Sequence, residues 1–388
     1  MDKHSIRLGI LALIFLTMID FNPVGSTFSA RDYWPTNTWQ TQDPESQNVD
    51  AALLDALITH IKNNYFSVHS VLIIKNGYLI KEKYFRYYDK DDLHALYSCT
   101  KSVTSTLIGI AIDQGFLQLN DTILDFFPEK SFEQADDRKK SITIENLLEM
   151  RAGIAWDESS IPYTNSQNDY VQLLRSKDWV KFLLDKPMAV EPGTTFVYNS
   201  GASHVLSAII QQATNMTTLG FAIKYLFTPL NFTNYFWEKS PHNVVNGGAF
   251  LNLKPRDMAK FGFLFLNNGT WDGEVIVSSD WIRQAVYQYK PVNEYIKYGF
   301  QWWITPSKDG YFSYQARGYQ GQWICCIPEL DLLVVFTGGF TGPNPYDELV
   351  EEYILPSVVG KNSSEETTSF SISLVILLLF VVRKKTKK

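Results

Sequence analysis

Most of the short motifs that mark metal-dependent and cofactor-dependent enzymes are missing from this 388-residue sequence. It contains no HExxH pattern, and its six histidines are scattered, so a zinc-hydrolase site has no support. No P-loop or dinucleotide-binding fingerprint occurs, and the G-x-S-x-G elbow of α/β-hydrolases is absent. We therefore expect a protein that needs neither a metal ion nor an organic cofactor.

Positive charge is not in excess, and cysteine is rare. The formal net charge is -6 and the pI is about 5.6, which argues against a nucleic-acid partner. The three cysteines are Cys99, Cys325 and Cys326. Because two neighbouring cysteines cannot both bond to one partner, at least one thiol stays free. Either Cys99 forms a disulfide with one of the pair, or all three are small buried apolar residues.

The two ends of the chain resemble membrane-directing signals. Residues 1–30 combine a short basic region with an apolar run at Leu8–Ile19, which predicts a secretory signal peptide or an N-terminal anchor. After a linker at 361–369, residues 370–388 join an apolar stretch to a cluster of Lys and Arg. Since basic residues stay on the cytoplasmic side, this tail predicts an exported protein anchored on the outer face of a membrane. A sorting tail that is removed during maturation is the alternative.

Between these ends, the pattern predicts one large domain at 51–360, preceded by a polar lead-in at 31–50. Asn76-Gly77 joins two strand-like runs and is a strong β-hairpin signal. Helical and loop-rich patterns fill roughly 117–240, and strand patterns such as "YGFQWWITP" follow nearer the C-terminus. Strands at both ends with helices between them predict an α+β fold, in which the N-terminal hairpin joins the C-terminal strands in one antiparallel sheet.

The segment "LYSCTKSVTSTLIGIAIDQG" contains the strongest candidates for chemistry, Ser98 and Lys101. Positions i and i+3 share one face of a helix, and the start of a helix offers backbone N–H groups and a positive dipole end. The residues after Lys101 are small or apolar, so we expect a buried lysine with a lowered pKa that can act as a base. The alternative is a serine helix cap beside an ordinary surface lysine.

Two later segments complete an ordered set of motifs. "EPGTTFVYNSGASHVLSAI" places Tyr198 and Ser200 at a loop-to-helix junction, and "FSYQARGYQGQWICC" places a glycine-rich bend at 318–321 beside a strand. In this order the sequence resembles the serine β-lactamase-related hydrolases, which include class C β-lactamases, DD-peptidases, esterases and 6-aminohexanoate-dimer hydrolases. The resemblance covers roughly residues 50–358 and extends to connecting phrases such as "PRDMAKFGFLFLNNG".

The resemblance implies a β-lactamase/transpeptidase-like fold, with an antiparallel sheet flanked by helices, an inserted helical subdomain and an active site between the two parts. It implies that Ser98 is the acylated nucleophile and that Lys101 helps to take its proton. Tyr198 is implied to pass a proton to the leaving group, with a phenol pKa lowered by Lys101.

The resemblance also implies a substrate-binding and oxyanion set formed by Ser200, Tyr319, Gly321 and Gln322. In particular, the backbone N–H groups of Ser98 and Gln322 are expected to form the oxyanion hole. Gln322 directly follows Tyr319-Gln320-Gly321, which is the third motif of the set.

The third motif departs from the family pattern. Tyr319 stands where penicillin-binding enzymes carry Lys or His, so the cation that grips a substrate carboxylate is missing there. Arg317 lies on the same strand face as Tyr319 and is either a substitute cation or a surface residue. Ser200 stands where many members carry Asn, although a hydroxyl can still donate a hydrogen bond. These changes favour a substrate without an essential carboxylate.

We therefore expect a serine hydrolase that cleaves an ester or amide in a small-molecule or peptide-like substrate through an acyl-enzyme. The terminal segments predict contact with a membrane. A β-lactamase or DD-carboxypeptidase of the penicillin-binding type is one alternative. A non-catalytic relative that binds its ligand at the cell surface is another, and the intact Ser98, Lys101 and Tyr198 argue against it.

Overall fold

Residues 31–132 and 136–360 are described by the structure, which is a computed structural model of the chain. The predicted signal peptide or anchor at 1–30, the linker at 361–369 and the basic tail at 370–388 lie outside the described residues. Among the helices that are described, none combines the length and the apolar character that crossing a bilayer requires.

An eight-stranded antiparallel sheet forms the frame of the fold. The strands of the described residues, numbered in chain order, are β1 Val68–Lys75, β2 Tyr78–Tyr84, β3 His94–Ala95, β4 Phe236–Trp237, β5 Leu251–Leu253, β6 Thr270–Trp271, β7 Glu274–Val275, β8 Lys290–Pro291, β9 Lys297–Tyr298, β10 Trp303–Ile304, β11 Tyr314–Gly318, β12 Gln322–Ile327 and β13 Leu332–Gly338. The order in the large sheet is β2-β1-β13-β12-β11-β10-β9-β8. Two small sheets, β3-β5-β4 and β6-β7, lie outside it.

The middle of the sheet joins the two ends of the domain. β1 and β13 are almost wholly buried and pair with each other, with Val71 opposite Phe336. Because both faces of these strands are buried, apolar residues occupy successive positions instead of alternate ones, which explains their continuous apolar runs. β1 turns into β2 at Asn76 and Gly77, whose φ angles are 52° and 87°, as a tight hairpin turn requires. Both the hairpin and its pairing with the C-terminal strands were predicted, and both are confirmed.

Helices cover both faces of the sheet and fill the chain between β3 and β4. The α-helices are α1 Ala51–Asn64, α2 Cys99–Asp113, α3 Asp137–Lys140, α4 Ile144–Leu148, α5 Asp169–Arg175, α6 Trp179–Leu184, α7 Ser200–Thr214, α8 Thr218–Ala222, α9 Pro255–Leu266, α10 Ser279–Tyr287, α11 Tyr346–Leu349 and α12 Leu355–Val359. A π-helical segment at Val350–Ile354 continues α11 into α12. We call residues 346–359 together the C-terminal helix. α3 to α8 form the predicted helical part.

Alternate side chains of β12 pack into two separate hydrophobic cores, one on each face of the sheet. Ile324 and Cys326 pack with α2 and α9, whereas Trp323 and Cys325 pack with α1 and the C-terminal helix. This alternation follows from the period of two along a strand, and it places the neighbouring cysteines on opposite faces. All three cysteines are buried free thiols, so the second of the two interpretations applies and there is no disulfide among them.

The lead-in is an integral part of the packing. The Arg31 guanidinium donates to both carboxylate oxygens of Asp331, at 2.5 and 2.9 Å, beyond the far end of β12. Trp39 is buried, and its ring lies 5.4 Å from that of Phe263 on α9. The polar composition of 31–50 therefore does not mark a loose segment.

The strand predicted in "YGFQWWITP", residues 298–306, is interrupted, which corrects the sequence-based prediction. β9 and β10 have two residues each, and the backbone between them leaves the sheet to contact the helical part. Gly299 lies so close to α10 that a Cβ there would come within 1.9 Å of the Ala285 carbonyl oxygen. Gln301 has a φ of 63° and donates from its side chain to the carbonyl oxygens of Leu147 and Leu148. Long-range contacts, rather than local propensity, fix this bend.

The contact between α2 and α10 gives a first testable prediction. A Cβ at Gly109 would lie 2.4 Å from the indole of Trp281, which is buried and cannot move aside. We expect Gly109→Ala to lower the free energy of unfolding by about 1–2 kcal/mol, because overpacking outweighs alanine's better helix propensity. Urea unfolding measures this. The control is Gly342→Ala, at a site with no atom within 4 Å. Equal unfolding midpoints for the two variants would contradict the packing argument.

Candidate active site

α2 runs through the centre of the molecule, and its first turn opens on a pocket. Every residue from Cys99 to Ala111 is buried, which the small and apolar sequence of this segment allows. Ser98 precedes the helix and stays partly exposed, whereas the side chain of Lys101 is only 1% exposed. A partly accessible hydroxyl therefore lies directly beside a fully desolvated amine.

The backbone next to Ser98 is held in a strained conformation. Tyr97 has a φ of 45°, which a residue with a side chain rarely adopts without outside support. Its hydroxyl donates to the side chain of Gln320 at 2.9 Å, in the turn between β11 and β12. At Gly318 a Cβ would lie 2.2 Å from the Leu96 carbonyl oxygen, so only glycine fits there. The β11–β12 hairpin and the segment before Ser98 thus hold each other in place.

Lys101 is the centre of the hydrogen-bond network. Its Nζ lies 3.0 Å from Ser98 Oγ, 2.8 Å from Ser200 Oγ and 2.7 Å from the Gly248 carbonyl oxygen. Burial lowers the pKa of Lys101 to about 8, although the negative charge of Glu158 opposes this shift. About one tenth of the amine is therefore uncharged at pH 7 and about half at pH 8, and the uncharged form can accept a proton.

Tyr198 lies next to the same two residues. It hydrogen-bonds with Ser98, and Lys101 Nζ is 4.8 Å from the centre of its ring. The expectation that Lys101 lowers the phenol pKa is wrong. Burial raises the pKa of Tyr198 well above its usual value, and the bond with Ser98 only partly opposes this. Tyr198 is thus a neutral phenol, which can donate a proton but does not act as a resting phenolate.

A buried carboxylate that the sequence analysis missed completes the network. Glu158 is 3% exposed and accepts hydrogen bonds from Ser200 N at 2.7 Å, Ser200 Oγ at 2.6 Å and Trp156 Nε1 at 2.8 Å. The hydroxyl of Tyr163 donates to it at 3.2 Å. An acidic residue directly after an apolar segment, in "GIAWDE", was the available signal, but it does not identify the partner 42 residues away.

The second residue that the sequence analysis missed is Gly248. A Cβ on Gly248 would come 2.7 Å from the Ser200 carbonyl oxygen, so this segment fits against α7 only without side chains. The adjacent Gly247 is equally confined, since its Cβ would come 2.2 Å from the Ser203 carbonyl oxygen. The Gly-Gly pair was the available signal, because it often marks a close approach of backbones.

The pocket beside Ser98 has a volume of about 180 Å³ and mainly aromatic and aliphatic walls. The residues that line it are Tyr97, Ser98, Tyr163, Tyr170, Val171, Leu174, Ser200, Ala249, Phe250 and Tyr319. Two of the residues predicted to bind substrate, Ser200 and Tyr319, are among them. The Tyr319 ring is held edge-on between Tyr97 and Tyr163, with ring centres 5.6 and 5.8 Å away.

The other two predicted residues, Gly321 and Gln322, have structural contacts behind the pocket. The Tyr346 hydroxyl donates to the Gly321 carbonyl oxygen at 3.1 Å, and the Gln322 side chain donates to the Gly338 carbonyl oxygen at 2.7 Å. The Gln322 carbonyl oxygen accepts from the Cys99 thiol at 3.3 Å, which fixes α2 to β12. An oxyanion hole formed by the N–H groups of Ser98 and Gln322 stays a prediction.

The N–H groups that follow Ser98 are not free donors. Those of residues 99–101 donate to the carbonyl oxygens three positions earlier, at 3.0–3.1 Å, in a tight first turn. Free N–H donors, which the start of a helix usually offers, were expected here. Because the tight turn uses these three groups, they cannot stabilise an oxyanion.

Arg317 is a surface residue and does not replace the missing cation. Its guanidinium pairs with Asp347 at 2.7 and 3.1 Å and donates to Gln315 at 2.6 Å. It also stacks on Trp323, which belongs to the core on the opposite face of the sheet from α2. None of the ten residues that line the described pocket is charged.

Comparison with known proteins identifies the family of the chain. The family model described as Beta-lactamase matches residues 54–358, most of the chain and nearly all of the predicted domain. The chain belongs to the beta-lactamase family. The resemblance inferred from the three ordered motifs is thereby confirmed, and the homologues indicate a hydrolase.

Individual relatives of this beta-lactamase-family protein are distant. A 6-aminohexanoate-dimer hydrolase from Paenarthrobacter ureafaciens is 23% identical over 340 residues, covering 80% of this chain and 83% of the relative. The solved structure of EstCE1, a hydrolase with promiscuous acyltransferase activity, has a TM-score of 0.65 at 19% identity, covering 80% of this chain and 98% of that one. A beta-lactamase/D-alanine carboxypeptidase from Pseudomonas syringae has a TM-score of 0.60 at 16% identity, covering 79% and 99%. These structures confirm the predicted β-lactamase/transpeptidase-like fold.

The lowered pKa of Lys101 predicts how acylation depends on pH. Only the uncharged amine accepts a proton, so kcat/KM for a p-nitrophenyl ester is expected to rise with pH and reach half of its plateau near pH 8. The measurement is a pH profile corrected for spontaneous hydrolysis, and Lys101→Ala is the control expected to lose the rise. A profile that is flat or falls across this interval would contradict the assignment of Lys101 as base.

Proposed function

We propose that this protein is a serine hydrolase that cleaves an uncharged ester or amide through an acyl-enzyme on Ser98. The observation that carries the proposal is the distance of 3.0 Å between Ser98 Oγ and the buried Nζ of Lys101, at the mouth of an apolar pocket. A nucleophile, a base of lowered pKa and a neutral phenol meet at one point, which is what acyl transfer needs.

Each group has a role in the proposed reaction. The uncharged amine of Lys101 takes the proton of Ser98 as its oxygen attacks the substrate carbonyl carbon. Tyr198 donates its phenolic proton to the leaving oxygen or nitrogen when the tetrahedral intermediate collapses, and it is reprotonated from Lys101. Water then attacks the acyl-enzyme with the same groups acting in reverse and releases the acid.

The walls of the pocket favour a neutral, apolar acyl group. Tyr97, Phe250 and Tyr319 line the pocket beside Ser98, and the ionisable side chains of Lys101 and Glu158 are buried and already hydrogen-bonded. A substrate carboxylate would lose its hydration there without gaining a cation, at a cost of several kcal/mol. This supports an esterase or amidase over the β-lactamase and DD-carboxypeptidase alternatives, whose substrates carry a carboxylate.

Covalent labelling tests the nucleophile. We expect a fluorophosphonate probe to add one phosphonyl group to Ser98, detected by intact-mass analysis and peptide mapping, and to leave Ser98→Ala unlabelled. Ser105→Ala is the matched control, because Ser105 lies in the same helix and its buried hydroxyl has no partner. Labelling that persists in Ser98→Ala would contradict the proposal. So would the absence of both labelling and esterase activity in the folded wild-type protein, and that result would favour a binding protein.

A pair of esters tests the preference for uncharged substrates. The p-nitrophenyl esters of butyrate and of succinate differ in that the second carries a free carboxylate. We expect kcat/KM to be at least about tenfold higher for the butyrate ester, since the carboxylate is desolvated without a cation. Turnover of nitrocefin, a carboxylate-bearing β-lactam, is expected to be slower still. Equal rates on both esters, or efficient nitrocefin turnover, would favour the β-lactamase alternative.

A further inference from the structure

The buried carboxylate of Glu158 determines the direction of the hydrogen bonds around Lys101. An ionised carboxylate can only accept, so the Ser200 hydroxyl must donate its single proton to Glu158 Oε1 at 2.6 Å. The Ser200 oxygen is then left as an acceptor on its other side. It faces Lys101 Nζ at 2.8 Å, and the lysine must be the donor in that contact.

A second partner of Lys101 is also an obligatory acceptor. The carbonyl oxygen of Gly248 lies 2.7 Å from Nζ and has no proton to give. An uncharged lysine amine has two N–H bonds and one lone pair. If Ser200 and Gly248 take the two N–H bonds, the lone pair must point at the third partner, Ser98 Oγ.

We propose that Glu158 is a positioning residue which acts through Ser200 to direct the lone pair of Lys101 at the hydroxyl of Ser98. The proposal rests on the proposed function, since it concerns how the same base is oriented. Without a carboxylate at position 158, the Ser200 hydroxyl can turn and donate to Lys101. The lone pair is then occupied, and the proton of Ser98 has no acceptor.

The carboxylate is itself rigidly held. Trp156 Nε1 and Ser200 N both donate to Oε2, and the backbone carbonyl of Glu158 accepts from Asn168 at 3.1 Å. Four other titratable groups of the described residues lie around Lys101 and Tyr198: Cys99 on α2, Glu158 and Tyr163 on the loop before α5, and Tyr298 on β9. Glu158 is the one carboxylic acid among them, so its removal changes both the orientation and the electrostatics of the base.

The test is the pH profile of Glu158→Gln with a neutral p-nitrophenyl ester. The amide NH2 of glutamine can donate to Ser200 and turn its hydroxyl toward Lys101, so the plateau kcat is expected to fall about tenfold or more with KM nearly unchanged. The midpoint is expected to move to lower pH, because a negative charge that favours the ammonium is gone. A folded variant with wild-type plateau and midpoint would overturn the proposal.

A matched control separates this role from a structural one. Glu149 is equally buried, at 3% exposed, but it pairs with Lys290 at 2.6 Å instead of Ser200. Glu149→Gln is expected to keep the wild-type midpoint and plateau. If it shifts the profile as Glu158→Gln does, the effect belongs to any buried carboxylate and the proposal fails.

A second variant keeps the test decisive if Glu158→Gln does not fold. Ser200→Ala removes the connecting hydroxyl and is expected to lower the plateau by a similar factor, whereas an unchanged plateau would overturn the proposal. In a folded double variant of Glu158→Gln and Ser200→Ala, the plateau kcat is expected to fall no further than in Ser200→Ala alone. Both changes break the same chain of hydrogen bonds from Glu158 through Ser200 to Lys101, so their effects do not add. Fluorophosphonate labelling of wild-type Ser98 tests the proposed function separately from the role of Glu158. If wild-type Ser98 is not labelled, the proposed function is wrong. If it is labelled and the variants keep the wild-type profile, only the role of Glu158 is wrong.

Discussion

One buried nitrogen atom, Nζ of Lys101, holds the candidate active site of this molecule together. It connects three segments far apart in sequence: the start of α2, the start of α7 and the glycine-rich backbone at 247–248. A desolvated ammonium is costly unless its protons are accepted and its charge is balanced. The three oxygens around it and the nearby carboxylate of Glu158 meet this demand, and this arrangement places the hydroxyl of Ser98 beside the amine.

The sequence predicts the parts of the fold that local rules govern. The Asn76-Gly77 turn, the apolar period of α1 and α7, and the long strands β12 and β13 follow from backbone preference and burial pattern. The break between β9 and β10 does not, because it depends on the contact of Gly299 with α10. A bend that is fixed by a distant helix produces no recognisable pattern in the sequence of the segment that bends.

The candidate site likewise has residues that the sequence predicts and features that it does not. Ser98 is the N-cap of the helix that carries Lys101, and its backbone is already helical, so the spacing of three places the two side chains together. The ordered motifs add Tyr198 and Ser200. Two features needed the structure. The rise in the pKa of Tyr198 comes from desolvation, which a motif does not encode. Glu158 reaches the network from a loop whose position is fixed by packing and by hydrogen bonds to other segments, so no spacing rule connects it with Ser200.

The pairing of β1 with β13 also determines when the candidate active site can form. These strands lie at opposite ends of the domain, and Val71 meets Phe336 across most of the chain. During synthesis, the centre of the sheet cannot close until the last strands have left the ribosome. The hairpin of β11 and β12, which holds Tyr97 and Ser98 in place, is made equally late. For most of translation the nascent chain therefore carries Ser98 without the contacts that hold it in place.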